Sequence, residues 1–254
     1  MNARRSMRIV ERNMYAYRRN WPVFVSAFVE PLFFLLSIGI GVGELVGDIT
    51  VAGHTIDYEE FVAPGLFAVT AMNGALFDAT FNFFVKFKYH KVYDGILATP
   101  LDALEVTTGE MLWSLLRGTI YSIGFLGMMT VFGLVHSWWA ILTIPAAMLI
   151  GFAFAGAGLA ACTFMRSFVD FDYVNLVIIP LFLFSAVFFP VAQYPDVLEA
   201  VVRCTPLYQG VVLCRSLVLG DLHWSLLANI AYLLVMGLVG LRIASRRIRH
   251  LLQP

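Results

Sequence analysis

Charged residues are scarce in this 254-residue chain. Lys, Arg, Asp and Glu make up 13% of it, whereas 60% of the residues are hydrophobic and the mean hydropathy is +0.80. Soluble domains carry about 25% charged and about 45–50% apolar residues, so the polar surface here is too small to coat a globule in water. The composition therefore predicts an integral membrane protein. The 17 basic and 17 acidic residues balance, so the net charge says nothing about partners. For a protein of the lipid bilayer we expect no nucleic-acid partner.

Motifs for catalysis or metal binding are also absent. The sequence has no H-E-x-x-H and no G-x-x-x-x-G-K-[ST], so it cannot bind ATP through a P-loop of its own. Its three cysteines form no CxxC pair or Cys/His cluster. Cys204 and Cys214 could form a disulfide in an oxidising compartment, although two free thiols are the simpler interpretation. We expect no catalytic residue, metal or cofactor in this chain.

Six apolar segments are long enough to form membrane-spanning helices, each of which needs about 20 mostly apolar residues. They are Val23–Val46, Phe61–Val85, Met111–Val135, Ala140–Thr163, Tyr173–Phe189 and Trp224–Ile243. The fifth is short and contains Pro180, which inside lipid usually indicates a kink. We therefore predict an all-α integral membrane protein with six transmembrane helices in a single domain, residues 1–254.

The segment between spans five and six is too apolar for a solvated loop. It divides at Thr205-Pro206 into two short helices, Asp196–Cys204 and Leu207–Leu219, which Gly220 closes. Neither is long enough to cross a bilayer. We expect a re-entrant or external pair of helices here.

Basic residues lie mainly on one side of the predicted spans. With the N-terminus in the cytoplasm, 14 of the 17 fall in cytoplasmic segments, and the exceptions are Arg117, Arg203 and Arg215. Cytoplasmic loops of membrane proteins carry such an excess of Lys and Arg. The bias predicts an even number of spans and cytoplasmic N- and C-termini.

The N-terminal segment, about residues 3–20, has the pattern of an amphipathic helix. Arginines occupy its other faces, and its apolar residues recur at helical spacing: Met7, Val10, Met14, Tyr17 and Trp21. Such a helix lies in the membrane surface with its cations among anionic headgroups. A simple positively charged anchor would explain the pattern equally well.

The cytoplasmic loop Lys86–Gly109 contains two signals for the start of a helix. One is Thr99-Pro100-Leu101-Asp102, with proline at the first helical position, and the other is Thr107-Thr108-Gly109-Glu110. In each, a threonine oxygen could accept a backbone N–H of the first turn. An ordered turn between two spans is a place where an external motor could push, or a tight connection with no partner.

Three charged residues lie within predicted spans: Glu30, Asp78 and Arg117. All three fall about 10–13 Å from the cytoplasmic end of their span at the helical rise of 1.5 Å per residue. Charges in lipid are costly and usually face a cavity or each other. The cluster could be a gate on a translocation path, an interhelical clamp or a proton relay.

Span four is rich in small residues, including Gly151, Gly156 and Gly158. Small residues at three- and four-residue spacing let helix backbones approach closely. We expect a packing face here, either within the subunit or between subunits.

The order of several short motifs resembles the membrane permeases of type-2 ABC exporters, especially the nodulation lipo-oligosaccharide and daunorubicin-type group. In chain order these motifs are Glu30-Pro31, Phe61–Gly65, Ala71–Ala75, Tyr93–Leu101, Gly109-Glu110, Phe189-Pro190, Tyr194-Pro195 and Thr205–Leu207, with Arg215 and Gly220. The resemblance covers nearly the whole chain.

This resemblance implies a multi-pass protein of the plasma or inner membrane that works as a homodimer, or with a similar second permease. Two copies of a separate P-loop ATPase would bind ATP and Mg²⁺ beneath it. The coupling loop would comprise Tyr93, Asp94, Gly95, Ile96, Leu97, Thr99 and Pro100. The N-terminal helix would be the interface helix, and Pro195, Pro206 and Arg215 would lie in the external segment.

The predicted function is export of an amphiphilic drug, lipid or glycolipid, with Glu30, Asp78 and Arg117 on the translocation path or gate. One alternative is an ion-coupled secondary transporter or channel that uses Glu30 and Asp78, although the sequence shows no inverted repeat. A membrane-embedded lipid enzyme is another alternative, against which the missing active-site motif argues.

Overall fold

The computed structural model describes residues 3–17, 29, 31–51, 54–90, 92–97 and 102–252. Their helices are α1 (Ala3–Tyr17), α2 (Pro31–Val46), α3 (Tyr58–Tyr89), α4 (Val92–Leu97), α5 (Ala103–Val131), α6 (Trp138–Cys162), α7 (Phe171–Leu183), α8 (Asp196–Arg203), α9 (Pro206–Leu219) and α10 (Leu226–Leu252). A short antiparallel hairpin of β1 (Ile49–Val51) and β2 (His54–Ile56), with Thr50 opposite Thr55, separates α2 from α3. The predicted helical class is confirmed, while the hairpin was not foreseen.

Three of the described helices, α3, α6 and α10, are long and apolar enough to cross a membrane. The pair α8–α9, bent by 81°, counts as a fourth if it is one broken span. Helix α5 has 29 residues, but polar side chains such as Arg117 lower its apolar content. Helix α7 has only 13 residues, about 20 Å at the helical rise. The described part of the chain is thus a multi-pass membrane protein.

Helix α3 is the centre of the fold. It packs against α5, α6 and α9, and its residues Phe67, Ala71 and Met72 are fully buried. Two π-helical turns, Asp78–Asn82 and Val85–Tyr89, interrupt its C-terminal half. Such π turns occur frequently at functional sites. Here the first of them begins at a charged residue.

Among the small residues of α6, Gly156 packs against α10 within the same subunit, whereas Gly151 and Gly158 face α3. A Cβ atom added at Gly240 would lie 2.3 Å from the Gly156 carbonyl carbon, and one at Gly156 would lie 2.7 Å from the Gly237 carbonyl oxygen. Only glycine allows backbones this close. The small residues of span four therefore form packing surfaces within the subunit.

The predicted loop Lys86–Gly109 differs from the structure because α5 begins earlier than expected. Asp102 is its N-cap, and Asp102 and Glu105 form a capping box that satisfies the first backbone N–H groups. The predicted helix start at Thr107–Glu110 is wrong, since these residues lie inside α5. The Thr107 hydroxyl donates to the Ala103 carbonyl (2.7 Å) instead of accepting an N–H.

The fifth predicted span, Tyr173–Phe189, is helical only up to Leu183. After the helix, Ala186 adopts a left-handed φ of 54°, which ends any helical continuation. Pro180 lies inside the last turn, where it removes a backbone donor and weakens the helix. The prediction placed the helix end six residues too late.

The external segment follows the predicted pattern closely. Pro195 is the N-cap of α8, while Thr205 caps α9 by accepting a hydrogen bond from the Tyr208 N–H. Gly220 ends α9 with a φ of 85°. Cys204 is exposed and Cys214 is buried, and both are free thiols.

Candidate functional site

A buried ion pair joins α3 to α5 inside the helix bundle. Arg117 Nη1 lies 2.6 Å from Asp78 Oδ1, and the exposed fractions of the two side chains are 5% and 1%. Asn82 Nδ2 donates to the same carboxylate oxygen (2.6 Å), and the Ser114 hydroxyl lies 3.1 Å from Oδ2. The carboxylate is therefore satisfied by three partners, as a buried charge requires.

The Arg117 guanidinium is enclosed by aromatic rings on two helices. Its Nη2 donates to the Tyr121 hydroxyl (2.8 Å), and its Cζ lies 4.9 Å from the ring centre of Tyr17 on α1. Cations over aromatic faces are stabilised by the ring quadrupole, more so when water is excluded. The N-terminal helix thus contributes directly to the ion-pair site.

Arg117 and Tyr121 also form part of the wall of a cavity of about 770 Å³. Residues of α2, α3, α5 and α7 line it, with several phenylalanine rings and the amides of Asn73 and Asn175. Among the lining residues that the structure describes, Arg117 alone is charged, and Asp78 neutralises it. A large, mostly apolar cavity with a few polar groups is the usual form of a site for a small amphiphile.

The structure describes only some of the other predicted site residues. Glu30, Thr99 and Pro100 fall outside the described residues, as do the side chains of Asp94, Ile96 and Leu97. Gly95 is exposed on α4, while Tyr93 is buried between Phe83 and Phe87, with ring centres 5.2 and 6.2 Å away. Tyr93 therefore anchors α4, part of the predicted coupling loop, to the end of α3.

Arg215 occupies a buried position at the opposite end of α3. Its guanidinium donates to the carbonyls of Phe61 (3.1 Å) and Ala186 (2.9 Å), and its Cζ lies 3.8 Å from the Phe61 ring centre. The Ala186 carbonyl belongs to the irregular backbone after α7. Non-helical backbone at membrane depth persists only where its polar groups are satisfied, which is what Arg215 does.

We expect Arg215→Met to lower the unfolding free energy by about 1–3 kcal/mol, because two buried carbonyls lose their charged donor. The matched control is Arg203→Met on α8, whose only described partner is the exposed i, i+4 carboxylate of Glu199. That surface pair contributes about 0.3–0.5 kcal/mol. Thermal melts of the purified chain in detergent measure both variants, and equal melting temperatures would contradict this role of Arg215.

Glu110 is the functional candidate that the sequence analysis did not recognise. It was assigned to a helix start, yet it is buried on α5 with charged partners from α1 and α3. The available signal was its spacing, because Glu110, Ser114, Arg117 and Tyr121 share one helical face. The patterns of the separate segments could not show that other helices cover this face.

Apolar helices around a buried ion pair and a large, mostly apolar cavity define a multi-pass membrane protein. The sequence comparisons agree: the chain belongs to the ABC-2 type transporter family, whose profile matches residues 6–219. Nodulation protein J of Rhizobium leguminosarum bv. trifolii is 30% identical over 80% of each chain, and that of R. leguminosarum bv. viciae is 27% identical over 91% of this chain and 93% of its own. The inner membrane transport permease YadH of Escherichia coli K12 is 24% identical over 77% of this chain and 75% of its own.

The predicted resemblance to type-2 ABC permeases is thereby confirmed. The chain is the membrane subunit of an ABC transporter and not an enzyme. Membership of this family implies association with an ABC ATPase subunit.

Proposed function

We propose that the chain is the permease of an ABC exporter that moves an amphiphilic molecule outward, powered by a separate ATPase. The observation that carries this proposal is the mostly apolar, ring-lined cavity beside the Asp78–Arg117 pair. A drug, lipid or glycolipid combines an apolar body with hydrogen-bonding groups, and the phenylalanines and the amides of Asn73 and Asn175 suit those two parts.

The proposed topology has six spans with both termini in the cytoplasm of a cell bounded by this plasma or inner membrane. Helices α2 and α5 would provide the first and third spans, and α7 with the residues after it the fifth. The arginines at the end of α10, including Arg246 and Arg249, support this orientation because basic residues stay on the cytoplasmic side. Helix α1 would be the interface helix, with Met7 and Met14 exposed toward lipid.

A second permease copy is the proposed partner within the membrane. No residue of α7, all of which the structure describes, is buried, and Leu176, Val177 and Ile179 are each more than half exposed. This face needs either lipid or another subunit. In a homodimer, it would border the cavity from the other side, with two ATPase copies bound below.

The proposed motor contact is the segment Tyr93–Pro100, which comprises most of α4 and the residues after it. ATP binding would close the ATPase dimer and displace this loop, and the buried Tyr93 would pass the displacement to α3. Such a motor changes the permease only if it prefers one of its conformations, since equal affinity for both shifts nothing. Glu30, Asp78 and Arg117 would form the gate that opens toward the cavity.

The ion-coupled alternative is less compatible with the geometry. A relay carboxylate must exchange protons or ions, whereas Asp78 accepts from Arg117 and Asn82 and has Ser114 within reach. For Asp78 to bind an ion, its 2.6 Å ion pair with Arg117 would first have to break. These contacts favour a structural or gating role over ion transfer.

The decisive experiment is purification of the tagged chain in mild detergent from its native host. We expect a stoichiometric ATP-binding subunit that is lost when Tyr93–Pro100 is scrambled. The control scrambles Asp221–Trp224, an exposed turn at the other end of the bundle, and should keep the partner. A folded chain that purifies alone would contradict the exporter and redirect attention to Glu30 and Asp78.

A further inference from the structure

Glu110 connects three structural elements at the cytoplasmic end of the bundle. Its carboxylate is 2.9 Å from Arg12 Nη2 and accepts from Asn13 Nδ2 (3.0 Å), both on α1. Its other partner is Lys86 Nζ on α3, at 2.8 Å. Glu110 itself is buried, with 2% of its surface exposed. A single side chain of α5 therefore holds α1 and α3 in register.

Tyr93 places α4 next to this network. Burial raises the pKa of the Tyr93 hydroxyl well above its ordinary value, and the nearby Glu110 carboxylate raises it further. Its ring packs between Phe83 and Phe87, and these two residues belong to the part of α3 that also carries Lys86. A displacement of α4 must therefore disturb the surroundings of Glu110.

The face of α5 that carries Glu110 continues to the ion pair. Ser114, one turn further, lies 3.1 Å from both the Glu110 carbonyl and the Asp78 carboxylate. Arg117 follows on the same face and reaches the cavity wall. Contacts along this face thus lead from Glu110 to the cavity wall, and the Tyr93 ring packs α4 against the turn of α3 that carries Lys86, a partner of Glu110.

Helix α1 lies alongside this face in parallel register. Gly109 allows the contact, because a Cβ atom there would lie 2.8 Å from both the Ser6 carbonyl oxygen and the Ile9 side chain. Further along, the Tyr17 ring packs on Trp113 (5.3 Å) and faces Arg117. Helix α1 contacts Glu110 and the ion pair, so the two sites must move together or break contacts with α1.

We propose that Glu110 is a positioning residue for coupling: its charged contacts transmit movement of the α4 loop to the Asp78–Arg117 pair and the cavity. The inference rests on the proposed exporter function. Two cations and an amide hold the carboxylate, so its charge and not only its shape keeps α1, α3 and α5 together. Loss of that charge leaves α4 able to move without moving the cavity wall.

The test measures nucleotide-driven movement at the cavity and needs no cargo. A bimane label is attached at Ile179→Cys, a cavity position 58% exposed, in a Cys204→Ser background. The permease is purified with its ATPase, and bimane emission is compared before and after trapping with MgATP and vanadate. We expect Glu110→Gln to keep the ATPase and nucleotide binding while its emission change falls by about fivefold or more, within the usual range of allosteric coupling.

Glu11→Gln is the matched control, since it removes a carboxylate from the exposed side of α1 next to Arg12. It should respond like the wild type. Lys86→Met is the second variant and should give a reduced emission change. If Glu110→Gln does not accumulate in the membrane, Lys86→Met tests the coupling role in its place. A purely structural role would lower the melting temperature without changing the response per folded complex.

The possible failures are distinguishable. A wild-type complex that responds to nucleotide, with full responses in Glu110→Gln or Lys86→Met, overturns the coupling role of Glu110 alone. A wild-type chain that binds no ATPase overturns the proposed function together with this inference.

Discussion

Replacing Arg117 with methionine should destabilise the protein by about 3–5 kcal/mol, because it leaves the Asp78 carboxylate charged and uncompensated inside the bundle. The two side chains are almost completely buried, so solvent does not screen the loss. Asn82 and Ser114 still reach the carboxylate but carry no charge. The melting temperature of the purified chain in detergent and its yield in the membrane measure the effect.

The double variant Asp78→Asn/Arg117→Met provides the informative comparison. Removing both charges together avoids the unpaired carboxylate, and neutral replacement of a buried pair is often harmless to stability. We expect its stability to lie within about 1 kcal/mol of the wild type. Transport measured at equal expression then separates a gate, which the double variant would disable, from a clamp, which it would preserve. Single alanine variants of Glu30, Asp78 and Arg117 with unchanged transport would rule out the gate.

Gly240→Ala should destabilise the contact between α6 and α10. The new Cβ atom would lie 2.3 Å from the carbonyl carbon of Gly156 and 2.6 Å from its oxygen, so backbone rather than a flexible side chain must move. Overpacking of this kind costs about 1–3 kcal/mol or more. The gain in helix propensity, about 1 kcal/mol, offsets only part of the upper value and leaves a net loss of about 2 kcal/mol.

Gly127→Ala on α5 is the matched control for this prediction. Nothing lies within 4 Å of its added Cβ atom, so only the propensity gain remains, and the variant should be as stable as the wild type or slightly more stable. Thermal melts of both variants in the same detergent test the contrast. Equal behaviour of the two would show that α6 and α10 can separate without cost.

Several elements followed directly from the sequence. The apolar runs of α3, α6 and α10 predicted their helices, because a segment without charge has no stable place in water. Thr205, Pro206 and Gly220 predicted the bounds of α9 within one residue, since capping chemistry is local. The sequence analysis placed Asp78 and Arg117 at a similar depth in their spans, and the two side chains form an ion pair in the structure.

Other features depended on which helices pack together. The start of α5 was misplaced because Thr107 had two possible roles, and only the capping box at Asp102 and Glu105 decided between them. The end of α7 was misplaced because its apolar continuation looks helical, whereas the backbone after Leu183 is held in another conformation through Arg215. Local sequence propensity reveals neither the capping box that starts α5 nor the contact with Arg215 beyond the end of α7.

The sequence by itself determined that this chain is a membrane protein, that its long apolar runs are helical and which family it belongs to. These properties depend on hydropathy, charge placement and motif order, which are additive along the chain. Only the tertiary structure decided that Glu110 is a buried junction, that Arg117 faces Tyr17 of α1 and that α6 meets α10 at glycines. Those properties arise from side chains about 80–100 positions apart, whose meeting is fixed by the packing of the whole bundle and by no local pattern.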